Sequence, residues 1–573
     1  MFERKEYPRP QLKRDDWYSL NGEWSFGFGD EENFKKVLKG EKLKRKINVP
    51  FTYQYEASGI GDTTYHETLI YSKEFSISKA NLKRSTLLCF NAVDYYSEIY
   101  VNGQFVMSHS GGFVPFNVDI TDYVKENNVL VVKCVDDLST TKPRGKQSWT
   151  NERFACWYIP NSGIWQSVWI EFFNKDALKE YSLTPNIDNS SFSGELVTLN
   201  GYATRAKFTV TYKDKLVKRE CVSLDGKHTR YSVSMLEESF VDESTYWTPE
   251  NPNLFYLDIE LYHDQELLDT VHTRFGMRKI STDGHNILLN NRPIYQTLLL
   301  DQGYYKESGL TPLSVDQIRR DIELSKAMGY NGARKHQKFE DPYFYYLADE
   351  MGFLVWCEMP SAYSFTPEEV ANISYEWQEI VKNARNFTSV ITYVPLNESW
   401  GVRKILNDSS QQAFAKALYH LTKSIDPSRL VSINDGWENI EESDIITIHD
   451  YARDSHEFKE KYAYENIDSL YPVGRKLIAL GNSYKGQPVV FSEFGGIAMK
   501  KDANNGAWGY GDSCSDDNEF YSRYENLIKG IKELNFAGFC YTQTTDVQQE
   551  VNGLLDENHN PKFDIDKIKS LTK

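Results

Sequence analysis

Up to about residue 173, apolar and polar positions alternate with a period of two and are broken by turn residues, as in Leu20–Phe28, Ser97–Gly103 and Val129–Val135. Alternation of that kind puts one face of a strand in a core and the other in water. Asn102-Gly103 between two apolar stretches predicts a tight hairpin, because both central residues of such a turn need positive φ. Helical spacing is nearly absent, so residues 1–173 are predicted to form a jelly-roll β-sandwich, closed by the strand in Gly163–Glu171. From 174 to 277 short strands continue, among them Phe208–Tyr212, Tyr231–Ser234 and Phe255–Leu261. About seven strands in about 100 residues predict an immunoglobulin-like β-sandwich, although its Cys–Trp–Cys spacing is missing.

After Arg278 the rhythm changes. Apolar runs alternate with amphipathic stretches: Ile294–Leu300, Asn331–Ala333, Phe353–Cys357, Val390–Leu396, Leu430–Ile433, Ile445–Ile448, Val489–Phe491 and Ala537–Tyr541, with helices such as Val315–Met328 and Gln411–Ile425 between them. About eight or nine strands in some 295 residues fit a (β/α)8 barrel, or TIM barrel, over 278–573.

Composition narrows the possible partners. At 573 residues the chain exceeds a single core, and 40% hydrophobic residues suffice for several. The 38 tyrosines and 12 tryptophans suit stacking on the flat C–H faces of sugars, and β-rich packing would also account for them. A net charge of −17 argues against nucleic acid and anionic membrane surfaces, which need basic patches. The seven cysteines are scattered and include no Cys-x-x-Cys pair, as in reduced thiols rather than disulfides or a zinc site. The first ten residues contain no signal-peptide core, and no run reaches the ~20 apolar residues of a membrane span. These features point to the cytoplasm; self-association into a homo-oligomer stays open.

The most informative residues are Glu398, in Pro395–Trp400, and Glu493, in Val489–Gly496. Each sits where a short apolar run ends, and barrels of this class keep their chemistry at the carboxyl ends of strands. Two glutamates delivered there from different strands are what a retaining glycosidase needs, one to protonate the leaving oxygen and one to attack the sugar carbon. The alternative, two surface carboxylates, has weight in a chain with 82 Asp and Glu. The other strand ends supply Asp301, Gln302, Arg334, Lys335, His336, Glu358, Asn397, Asn434, Asp435, Trp437, His449, Asp450, Tyr451, Tyr541 and Gln543. Such a ring of donors and acceptors suits hydroxyl recognition. His336 and His449 read either as partners of sugar or carboxylate or as structural histidines.

With these residues in view the chain resembles glycoside hydrolase family 2, which contains β-galactosidases, β-glucuronidases and β-mannosidases. The resemblance covers essentially the whole chain. It rests on Asn21–Trp24, Asp94–Gly103, Pro160–Trp169, Trp247–Phe255, Phe275–Ile280, Asn397-Glu398 and Ser492–Gly496. It implies that Glu398 is the general acid/base, Glu493 the nucleophile, Asn397 a ligand of the substrate 2-hydroxyl and Tyr451 a partner of the nucleophile. No metal or other cofactor is required for this chemistry, and no dedicated metal-ligand cluster is visible. A hydrogen bond from Tyr451 and the charge of Arg334 would keep Glu493 ionised, and Glu398 is expected to carry a raised pKa.

The chain also departs from the family. The second-strand segment is Arg334-Lys-His-Gln-Lys-Phe339, with its histidine one place early, which weakens His336 but not Arg334. The first-strand end is Leu300-Asp-Gln-Gly rather than the family's Asn-x-His-Glu, which weakens Asp301 as a hydroxyl ligand. Family β-glucuronidases grip the uronate with an Asn-x-Lys pair, and Glu550-Val-Asn552 stands in the matching stretch here. A glutamate there opposes a carboxylate, so a neutral sugar is expected unless Lys335 or Lys338 takes over the grip. Loop 501–517 is Gly-rich and aromatic and offers Trp508 as a stacking platform, or is a plain surface loop. The reading reached is a retaining exo-β-glycosidase of β-galactosidase type acting on a carbohydrate substrate. The alternatives are a β-uronidase and a non-catalytic carbohydrate-binding protein.

Overall fold

The structure, a computed structural model, describes residues 4–29, 31–236, 242–503 and 506–573. Residues 1–3, part of the stretch read for a leader, and residues 504 and 505 of loop 501–517 lie outside that description. Two antiparallel sheets form the first sandwich. Six strands (Arg45–Val49, Gly22–Phe28, Thr68–Ser76, Asn127–Val135, Tyr96–Val101, Gln104–Ser110) face four (Trp17–Ser19, Val168–Phe173, Ser85–Phe90, Phe116–Asp119). Inward positions of both sheets, among them Trp24, Tyr71, Phe90, Val132 and Ile170, make one buried core. The turn at Asn102-Gly103 joins Tyr96–Val101 to Gln104–Ser110, with φ of 53° and 80° at its two residues.

The second sandwich pairs a three-stranded sheet (Leu178–Asn186, Ser191–Thr198, His228–Ser234) with a four-stranded one (Lys215–Ser223, Arg205–Tyr212, Phe255–His263, Glu266–Phe275). A buried charge cluster ties it to the first. Glu171 accepts from Tyr7, Trp169, Arg9 and Arg14, and Arg14 also reaches Asp269 of the second sandwich at 2.7 Å.

Eight parallel strands build the third unit: β1 (Gln296–Asp301), β2 (Gly332–Lys335), β3 (Leu354–Glu358), β4 (Val390–Val394, continued by Leu396–Asn397), β5 (Leu430–Val431, continued by Asn434–Asp435), β6 (Ile446–His449), β7 (Val489–Gly495) and β8 (Gly538–Thr542). β1 pairs with both β2 and β8, and the β5–β6 seam is closed by backbone bonds from Asp444 to Val431 at 2.9 Å and from His449 to Gly436 at 3.3 Å. The strands are buried on both faces, which is why they read as apolar runs rather than as alternation.

Helices α1 (Val315–Ala327), α2 (Pro342–Met351), α3 (Pro367–Ala384), α4 (Ser409–Ile425), α5 (Ser455–Lys461), α6 (Asp517–Lys532) and α7 (Ile565–Thr572) follow every strand except β5 among the described residues. Each opens on a side chain that accepts from a free backbone N–H: Ser314, Asp341, Thr366, Asp408, Asp454, Asp516 and Asp564 in turn. No helix among the described residues is long and apolar enough to cross a membrane.

Candidate active site

β2 extends two residues beyond the apolar run expected for it, and this decides where its polar residues go. Successive side chains of a strand alternate faces. Arg334 turns into the barrel, where it is fully buried, and Lys335 turns out, its ammonium 4.3 Å over the ring of Phe344 in α2. Inside, the Arg334 guanidinium reaches Glu358 (2.7 Å), Asp435 (2.7 Å), Glu493 (2.8 Å) and Asn397 (2.7 Å). Four strand ends thus converge on one planar fork of donors.

Glu398 and Glu493 come from the ends of β4 and β7. One oxygen of each, with Nδ1 of His449, forms a trio of atoms all within 4.8 Å of one another. Arg334 and Tyr451 donate to Glu493 at 2.8 and 2.6 Å, and the Tyr451 ring stacks on Tyr510 at 3.4 Å. Glu398 faces His449 Nδ1 at 2.9 Å and accepts from Trp400 Nε1 at 3.2 Å. Asn397 accepts from Arg334 with Oδ1, and its amide nitrogen has no partner among the described residues, so a donor is left for a ligand. Among the described residues these three are the one such group with ligand atoms close enough for an ion, and Arg334, Tyr451 and Trp400 already donate to its carboxylates.

Electrostatics depart from expectation at Glu398. Burial pushes its pKa up, but the hydrogen bond and charge of His449, with Lys146 beyond, outweigh burial and bring it down to about 2. A raised pKa was expected, so the proton that a general acid needs is not held on this carboxyl by burial. Burial also works against a charged His449, yet Glu493 and Asp435 prevail and raise it to about 10. Glu358 moves the other way, to about 7, because its burial exceeds the pull of Arg334. Burial, then the positive charges of Arg334 and Lys146, hold His336 well below its ordinary value, as a neutral ring 3.1 Å from Arg334.

Two expected ligands lie elsewhere. Asp301 stands in register with Lys335, pairs with it at 2.8 Å on the outer side of the barrel, and does not join the glutamates. Trp508 ties its loop to the first sandwich through Nε1 and the carbonyl of Ala155 at 3.0 Å, and it meets Tyr510 edge-on. Three further rings that were not expected, Trp157, Tyr363 and Trp400, mutually edge-on at 5.0–5.7 Å, stand beside Glu398.

No periodicity or motif marks the segment 143–158, which the jelly roll sends over the barrel mouth. Arg144 and Gly145 donate to the carbonyl of Ser361, Trp157 donates to Tyr363, and Tyr158 donates to Glu550 at 2.6 Å. Gly145 has φ of 59°, and a Cβ on it would stand 2.3 Å from the carbonyl oxygen of Gln337, so the segment turns there only with glycine. Lys146 of this segment is electrostatically coupled to Glu398, Glu493 and Glu550.

Comparison with known proteins agrees with this architecture. Residues 17–170 match "Glycosyl hydrolases family 2, sugar binding domain", 177–278 match "Glycosyl hydrolases family 2", and 280–572 match "Glycosyl hydrolases family 2, TIM barrel domain". A putative β-glucuronidase of Formosa agariphila is 26% identical over 75% of this chain, and a β-galactosidase of Thermoanaerobacter pseudethanolicus is 26% identical over 72%. The chain spans 52% and 54% of those two relatives, about half their length. A β-glucuronidase of Streptococcus agalactiae is 21% identical, with 97% of this chain and 96% of that protein covered.

Among solved structures, the apo β-glucuronidase of Ruminococcus gnavus superposes with a TM-score of 0.80 at 20% identity, over 99% of both chains. The β-galacturonidase of Eisenbergiella tayi bound to galacturonate does so with 0.76 at 20% identity, over 100% of this chain and 99% of that one. With all three segments matched in order, the chain belongs to glycosyl hydrolases family 2.

Proposed function

We propose that the chain is a retaining exo-β-glycosidase that removes terminal non-reducing β-linked sugars by double displacement, with Glu493 as nucleophile and Glu398 as acid/base. One observation carries this reading: oxygens of the two glutamates, from opposite sides of one barrel mouth, lie within 4.8 Å. Retaining enzymes hold the pair ~5–5.5 Å apart, and inverting ones leave ~6.5–9.5 Å for a water. Arg334 and Tyr451 stabilise Glu493 as an anion aimed at the sugar carbon, Asn397 offers its amide to the 2-hydroxyl, and Trp157, Tyr363 and Trp400 form a platform for the leaving group.

A neutral, galactoside-like sugar is the preferred substrate. Lys335 is bound to Asp301 and Glu340, and Lys338 to Glu340 and the carbonyls of Gly303 and Leu310, so neither is free to grip a uronate. Glu550 stands buried where the uronate grip of relatives would be. A second reading, a β-uronidase, is favoured by Lys146: it reaches the pocket from the jelly roll, where the Cys156 thiol and Glu550 hold its pKa above the ordinary value against burial. The whole-length likeness to solved uronidases supports the same alternative.

The test is a panel of aryl β-galactoside, glucoside, mannoside, glucuronide and galacturonide, run with Glu493→Gln and Glu398→Ala. Glu493→Gln should abolish turnover. Glu398→Ala should spare the first step for good leaving groups and recover turnover with azide, giving the β-azide. Wild-type rates in Glu493→Gln would end the reading, and preference for the uronides would select the second one.

A further inference from the structure

His449 lies fully buried at the end of β6, and every charged group facing it can be named. Nδ1 is 2.9 Å from Glu398 and 3.5 Å from Glu493, and Nε2 is 3.2 Å from Asp435. Arg334, itself bound to Asp435 and Glu493, stands 3.4 Å from Nε2, with Glu358 and His336 behind it. Trp437 meets the ring edge-on at 5.7 Å, and Gly436 packs so closely that a Cβ would be 2.7 Å from Nδ1. Each ring nitrogen therefore faces a carboxylate.

A neutral ring meets these partners only if Glu398 itself carries the proton or if Nε2 turns from Asp435 to the longer contact with Arg334 at 3.4 Å. An imidazolium donates to Glu398 and Asp435 at once, and a third carboxylate oxygen, of Glu493, stands 3.5 Å from the same Nδ1. The same bond explains why Glu398 is held as a carboxylate. The raised pKa of His449 agrees with this geometry.

We propose that the proton of the general acid resides on His449 in the resting enzyme and that Glu398 passes it to the substrate. The proposal rests on the retaining reading above. In the first step the Nδ1 proton moves to the Glu398 carboxylate and on to the glycosidic oxygen. The C1–O bond breaks with its electron pair going to that oxygen, and the Glu493 carboxylate bonds to C1. Glu493 loses its charge 3.5 Å from Nδ1 as this happens, so the bias holding the proton on the ring weakens when the proton must leave. In the second step a water gives its proton to Glu398 and on to Nδ1, its oxygen bonds to C1, and the ester bond breaks with its pair returning to Glu493.

The test reads the proton directly. In 15N-labelled wild-type enzyme at pH 8 one of the 11 histidines should give imidazolium shifts and turn neutral when a 2-deoxy-2-fluoro glycoside traps Glu493 as its ester. His449→Asn retains a side-chain N–H donor for Glu398 but cannot carry a proton. Its kcat/KM should lose its alkaline limb two or more pH units earlier and fall about 100-fold for alkyl glycosides while dinitrophenyl glycosides change only a few-fold. A purely structural role would leave the alkaline limb in place. A neutral His449 in the free enzyme, or an unmoved alkaline limb in His449→Asn, overturns the proposal. Failure to trap any ester overturns the retaining reading instead, and the spectrum of the free enzyme still decides where the proton sits.

Discussion

At the scale of single residues, chemistry and backbone strain meet at Glu398. It has φ of 51° and Ser399 has φ of 57°, left-handed conformations that cost ~1–3 kcal/mol each for ordinary side chains. The bend survives because Glu398 donates its N–H to Asp435 at 2.9 Å, while Ser399 donates to Asn434 at 3.0 Å and to Glu438 at 2.6 Å. Asparagine tolerates this backbone better than glutamine, and both lack the charge that faces His449. Glu398→Asn should therefore melt higher than Glu398→Gln, by ~1 kcal/mol of stability, while both lose activity on unactivated glycosides; a lower melting temperature would refute the strain argument. Both glutamates were legible in the sequence because each ends an apolar run. The protonation of Glu398 was not, because it depends on His449, 51 positions away, and no local pattern reports that contact. Asp301 misled for a related reason: a strand end shows that a residue is near the mouth, and the strand's alternation decides whether it faces in.

At the scale of elements, α3 meets the jelly roll through a buried acid set in an apolar contact, since Ile373 and Trp377 share one core with Phe113 and Trp165. Glu376 accepts from the backbone of Phe113 at 3.1 Å, and nearby, within the jelly roll, Asp94 accepts from Gln147 at 2.8 Å. Burial raises Glu376 to about 8, and burial with the neighbouring Asp136 raises Asp94 to about 7. Their folded pKa values lie above the unfolded ones of ~4, so the folded state holds more protons across that interval. The stability they contribute is complete below pH ~4 and is lost as the pH rises through 7 to 8. Glu376→Gln should lessen the decline in melting temperature between pH 5 and 8 relative to wild type; equal slopes would show that the carboxyl does not titrate in the fold. Helices such as α1 and α4 were legible from their amphipathic spacing. The buried acid in the docking of α3 was not, because one glutamate on a helix face looks like any solvent-facing charge.

At the scale of the molecule, the three-part order was legible from rhythm alone, since period-two alternation, short strands and strand–helix repeats each have their own spacing. Which segment of the first part walls the third was hidden. Residues 143–158 have no periodicity, and a loop does not show which domain it will cover. Trp157 nevertheless stands among the rings beside Glu398, so Trp157→Ala should raise KM for aryl glycosides several-fold and leave the chemical step on a small fluoride leaving group nearly unchanged. An unchanged KM would place the platform elsewhere.

The bond between Tyr158 and Glu550 joins residues 392 positions apart. On a ribosome adding ~5–20 residues per second, roughly 20–80 s pass between synthesis of the wall and synthesis of the surface it leans on. The jelly roll can fold early and its segment over the barrel mouth can meet Ser361 and Tyr363 first, yet its bond to Glu550 waits for the last strand and the loop after it. Catalytic competence is then the last property the molecule acquires. On dilution from urea, secondary structure should return before hydrolysis does, and Tyr158→Phe should widen that interval; activity that recovers in step with secondary structure would show that the mouth forms without its wall.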